Sequence, residues 1–283
     1  ALTTVELNPA QTAQNYFNVS GAGSLLDLSG LPSLGTRLSI NASGGGTVLL
    51  DGLTELAGAV SIGGTVHMPN LVTLMGDVSV SGGSEVTLPN LAVLGGSSQQ
   101  SLSVSGEGSV LTLPDTTSVT NTSLTANSGG ELSLPSLVTL SGSDVSVSGG
   151  RIDLPSLAEA TGNGLSVNYI SVTGDGVLDA PLLSSLHNVR LSAANGGQLV
   201  LPSLATFSFQ PTCTYHNPIQ SQGSSETAGS LVSLPVLETF SYDVGSCYYL
   251  GFSVDASSGG IIELPALTTV ELNPAQTAQN YFN

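Results

Sequence analysis

The pattern Leu-Pro-x-Leu-x-x-Leu, followed by an apolar-Ser-apolar triplet and a Gly-Gly pair, recurs along this chain. It constrains the fold more than any other feature. A clear copy runs from Glu131 to Gly150, and others centre on Pro69, Pro89, Pro114, Pro155, Pro181, Pro202, Pro235 and Pro265. Two degenerate copies place Ser29 and Asp51 in the proline slot. Neighbouring slots lie as close as Asp51 and Pro69 and as far apart as Pro202 and Pro235. One repeat this short has too little core to fold alone. Stacking successive copies buries a continuous aliphatic column, which is the solenoid solution.

The local chemistry reads strand, turn, strand, turn. Leu132 and Leu134 alternate with Ser133, a period of two that turns one face inward. Pro135 ends that strand because it has no N–H for a ladder. Leu137 and Leu140 keep apolar contacts through the bend. Val145 and Val147 flank Ser146 as a second strand, and Gly149-Gly150 supplies the turn back. No segment sustains a helical period. The expected fold is all-β, a parallel β-solenoid (β-helix) with one coil per short repeat.

A longer duplication frames the short one. Residues 1–18 read ALTTVELNPAQTAQNYFN, and the same string returns at 266–283, so that Ala266 repeats Ala1. Chance does not produce eighteen identities in a row. Eleven short repeats of about 24 residues, a spacing typical of solenoids, fill that period. Residues 1–283 are therefore expected to form a single continuous solenoid, slightly more than one period of a 265-residue tandem array. The chain opens on Ala1 without a signal-peptide pattern, as expected of a mature product or a piece of something longer.

The coil pattern resembles the receptor L-domain type of β-helix. It resembles more closely the glycine- and serine-rich L-P-x-L repeats of very large bacterial surface proteins. Leu134-Pro135-Ser136-Leu137 and Leu154-Pro155-Ser156-Leu157 carry the likeness best, and it covers nearly the whole chain. The resemblance implies architecture and a surface setting, and says little about activity. The disulfide-rich modules of receptor L domains have no counterpart here, so ligand binding is not implied.

Composition excludes several functions. Charged residues make up 8% of the chain, too few for a disordered one this apolar. The three cations, Arg37, Arg151 and Arg190, face 20 acids for a net charge of −17. Such a chain neither neutralises a nucleic-acid backbone nor offers a basic stripe to anionic lipid. No apolar run reaches the roughly 18 residues a membrane span needs.

Chemistry is thinly seeded. A polysaccharide-acting β-helix enzyme, the minor alternative, needs acids clustered with a basic residue, and the arginines fall on different coils. Asp175 and Asp179 are close enough to meet, but solvated surface charge is the default reading. His67, His187 and His216 are isolated, with no zinc spacing. No cofactor is expected. The acidity leaves weak calcium association open, against simple cation screening. The middle serines Ser39, Ser61, Ser79, Ser103, Ser146 and Ser166 are expected to stack as a hydroxyl ladder. Such a ladder reads as a flat face for a filament, a glycan or ice, or simply as polar strand surface. Sequons begin at Asn18, Asn41 and Asn121.

The coils within 203–283 and 1–28 are long, and they hold 12 of the 13 aromatics, all but Tyr169, together with both cysteines. Cys213 follows Pro202 and Cys247 follows Pro235 at spacings that differ by a single place, so the two sit at nearly equivalent points on successive coils. A disulfide between them is expected, and with it an oxidising compartment. Tyr215, Tyr242, Tyr248, Tyr249 and Phe252 are the candidates for a lateral contact. The functional expectation is a non-catalytic structural repeat of an extracellular fibre, stalk or surface filament. Its partners are further copies of itself, end to end and side by side. The alternative is an adhesin stalk whose aromatic node binds a glycan or protein.

Overall fold

A computed structural model of the chain describes residues 2–5, 12–163, 168–210, 216–223, 229–243, 252–272 and 281–282. The chain divides into two compact units, residues 1–136 with 150–153, and residues 137–149 with 154–283. Each is a parallel β-solenoid, and no helix occurs among the described residues.

The slot explains the coil. All eleven slot residues, the nine prolines with Ser29 and Asp51, open a two-residue turn that follows a strand. In most coils a leucine two places past the slot donates its N–H to the carbonyl of the residue before the slot, whereas Thr116 stands there after Pro114. Examples are Leu53 to Leu50 at 2.9 Å, Leu157 to Leu154 at 3.1 Å and Leu237 to Leu234 at 3.4 Å. The slot is thus the second position of a β-turn, where proline's fixed φ is preformed and no donor is needed. Proline does more than end a strand: it builds the corner. The residue before it still donates to the next coil, as Leu88 does to Thr112 and Leu154 to Asp179.

Past the corner stands a third strand that the strand–turn–strand–turn reading lacks. In the first unit it is Ser33–Leu34, Glu55–Leu56 and Thr73–Leu74 in successive coils. At two residues it is too short to show a period of two. A full coil of that unit runs through the Pro69 turn, Thr73–Leu74, Val78–Val80, the Gly82-Gly83 turn and Glu85–Thr87. The glycine pair has φ of 65° and 76°, a region costly for other residues.

Stacking is in register. In the first unit Ile40, Val60, Val78, Leu102 and Leu124 form one inward column, each at most 1% exposed. Leu34, Leu56, Leu74, Leu94 and Val119 line a second side, and Val86, Leu111, Leu132 and Ile152 a third. Burying each large aliphatic side chain contributes about 1.5–3 kcal/mol. The columns rather than any local propensity therefore hold the coils together.

In the second unit one column changes character. Ala160 and Leu186 give way to Phe207 and Phe240, then Val270. Phe209, Tyr242 and Phe252 fill in beside them. Phe240 sits edge-on to Phe207 at 5.1 Å and to Phe252 at 5.2 Å between ring centroids. Phe209 lies nearly parallel to Tyr242, 7° apart at 6.1 Å. This is an aromatic core for the longer coils.

Candidate functional site

A groove in the first unit, between residues 65–69 and 85–89 of successive coils, carries His67 and Glu85 on its wall. A hollow in the first unit is bordered by Thr3, Thr4, Ser33, Thr36, Arg37 and Leu38, and no carboxylate or imidazole lines it. Arg151 pairs with Asp153 of its own strand at 2.6 Å, a surface ion pair with little energetic weight. Asp175 and Asp179 are both exposed. No group of three metal-ligating side chains occurs among the described residues.

His187 is held structurally. Asn188 donates its side-chain amide to Nε2 at 3.2 Å, so Nδ1 carries the proton toward the Ser208 hydroxyl at 2.7 Å. Asn188 itself takes φ of 55° at the corner and accepts the Gln210 N–H. In the same unit, Tyr169 sits beside Arg190 on the next coil, and its N–H donates to Asp144 at 3.1 Å. Partial burial and then the Asp144 charge push the Tyr169 phenol above its ordinary range.

The outward serine face forms a ladder in part. In the first unit the column runs Asn18, Asn41, Ser61, Ser79, Ser103, Thr125. Ser39 is not in it. That residue stands two places along, across from Tyr16 and Ala59, is 6% exposed and accepts a hydrogen bond from Gln14 at 2.8 Å. The place expected of Ser39 belongs to Asn41, which donates to Asn18 at 2.7 Å. In the second unit Ser146, Ser171 and Ser192 stack. Ser166 lies outside the described residues. At the proline corners of the first unit Asn70 donates to the Asp51 carbonyl and Asn90 to the Pro69 carbonyl, each at 2.7 Å. The sequence reading lacks these amide links between coils. Their signal is present, since both asparagines directly follow the slot.

Two of the lateral-contact candidates are core residues instead. Tyr242 and Phe252 are each 0% exposed and belong to the aromatic core, because the strand parity that carries Phe240 inward carries Tyr242 inward too. Tyr215, Tyr248, Tyr249, Cys213 and Cys247 lie outside the described residues. Strands flanking the cysteines do pair across successive coils, Phe209 with Tyr242 before them and His216 with Phe252 after them.

Both copies of the duplicated segment pair with a neighbouring coil. In the first unit Tyr16 and Phe17 pair with Ser39 and Ile40 of the following coil. In the second unit Tyr281 and Phe282, the same dipeptide in the second copy, pair with Ser253 and Val254 of the preceding coil. One sequence thus occupies a strand with its neighbour ahead in one place and behind in the other. No protein-family model, curated protein or solved structure matches the chain.

Proposed function

We propose that the chain is a structural repeat unit of an extracellular fibre or surface stalk, its length set by the number of 265-residue periods. The opposite-sided pairing of the duplicated segment carries this reading. A strand that accepts a neighbour on either side, in the two copies of its sequence, is what a continuous array requires. Continuous stacking makes such a filament stiff. The lack of lysine and the net charge of −17 favour solubility and leave few sites for trypsin-like proteases.

The adhesin reading rests on exposed aromatics. Burial of Tyr242 and Phe252 in the core takes two of its five residues away. On the fibre reading the unit acts by shape and stacking. An extracellular setting agrees with the proposed Cys213–Cys247 bridge, which would tie two long coils. Immunogold labelling of intact source cells with antibodies to the chain tests the assignment. Label on filaments or on the outer surface is the expected result. Label confined to the cell interior would overturn it.

A further inference from the structure

The two ends of the repeat expose matching apolar positions. Leu25 lies four places before the slot residue Ser29, and Ile261 lies four before Pro265. They hold the same place in their coils and are among the most exposed large apolar side chains, 63% and 50%. Beside them, Leu26 and Ile262 point inward but are only half-buried, while their column mates Val48 and Val232 are 0% exposed. Each of these columns is less covered here than one coil further in.

We propose that this edge of the second unit receives a following copy of the same chain, with Ile261 beside Leu25 and Ile262 beside Leu26 of that copy. The inference rests on the repeat-unit reading and adds its register. Three observations select a copy of this chain over an unrelated strand. Ser253 and Val254 already pair with Tyr281-Phe282, which is Tyr16-Phe17 over again. Tyr16 and Phe17 in turn already pair with the coil that would come next. The slot step across the junction is one place shorter than the Pro235-to-Pro265 step before it, so the Leu231-to-Ile261 geometry carries over. Among the described residues Ile261–Glu263 is the edge strand of its sheet. Such an edge offers the N–H and C=O groups for the backbone half of the contact. Glu263 would stand beside Asp27, a like-charge neighbour that opposes the contact and that salt screens.

The test uses two copies joined through their shared segment, residues 1–265 followed by 1–283. Ile261→Cys goes in the first copy and Leu25→Cys in the second. After mild oxidation, the chain is cut at acidic residues and the linked peptides are identified by mass. Neighbouring places on stacked coils are about 5 Å apart, within disulfide reach. The 25–261 link is expected in most molecules, at least tenfold above an Ile261→Cys and Val72→Cys control. A yield equal to the control overturns the register. Hydrogen exchange on the unsubstituted two-copy chain guards against misfolding of the variants. The peptide over residues 25–28 occurs twice, once at the open edge and once at the junction. Two exchange populations are expected, and a single one overturns the proposal. Failure here would leave source filaments unexplained in register only. A formed junction with no filaments in the source would sink the fibre reading instead.

Discussion

The carboxylate of Asp27 accepts the backbone N–H of Ser29 at 3.0 Å. Ser29 occupies the slot that proline fills in nine other coils, so it has an N–H that those coils lack. Asp27 absorbs it, and the Ser29 hydroxyl donates to the same oxygen. The hydroxyl bond first, then the backbone bond, holds the Asp27 carboxyl below the usual aspartate range.

Asp51 is the other non-proline slot, and Leu53 donates to Leu50 around it as in the proline coils. Asp51→Pro should therefore stabilise the protein by about 0.4–1 kcal/mol, because it restricts the unfolded chain at a site already shaped for proline. The Asp51 carbonyl that Asn70 uses is retained. Urea denaturation checks it: the midpoint should rise, and a fall would show that this corner differs from the proline corners.

Two glycines of the first unit should respond oppositely. A Cβ at Gly76 would overlap the Gly58 carbonyl oxygen of the previous coil, whereas a Cβ at Gly35 meets nothing within 4 Å. Gly76→Ala should lower the midpoint sharply, by mechanisms that reach several kcal/mol. Gly35→Ala should be neutral or slightly stabilising. Thermal melts of the two variants side by side make the comparison.

Phe240 touches Phe207, Tyr242 and Phe252 in the second unit. Truncation to alanine should cost about 3–5 kcal/mol, the range for a buried aromatic. Tyr242→Ser should likewise destabilise rather than merely separate filaments. A Tyr242→Ser protein with unchanged melting but lost association would return that residue to a lateral surface.

The Cys213–Cys247 bridge is expected to be present in material from the source. Intact mass after alkylation under denaturing conditions should show no modified cysteine without reductant and two with it. Two alkylated cysteines without reductant would remove the bridge and the support it lends to secretion.

The solenoid is legible because the L-P-x-L repeat joins a turn residue to inward leucines at fixed spacing, and Leu50, Leu53 and Leu56 are all 0% exposed. The third strand is not, since two residues such as Thr73–Leu74 carry no periodicity. The burial of Tyr242 is legible in principle. Phe240 and Tyr242 flank Ser241 as Val145 and Val147 flank Ser146, and that parity points inward. The abundance of aromatics in long coils suggests a surface role instead, and there the parity is the better guide. Ser39 misleads for the converse reason. It is the serine nearest the strand start, but Ile40 and Ala42 are the buried pair, and the outward residue they flank is Asn41.

The axial repeat of the native filament tests the account most directly. Eleven slots per period, each read as one coil rising about 4.8 Å, would give about 53 Å in an unbroken stack. Electron micrographs of the source material should show filaments with a periodicity near that length along the axis. Averaged images should also carry the layer line of stacked strands at about 4.8 Å. Compact globules, or filaments with an unrelated axial repeat, would contradict the account.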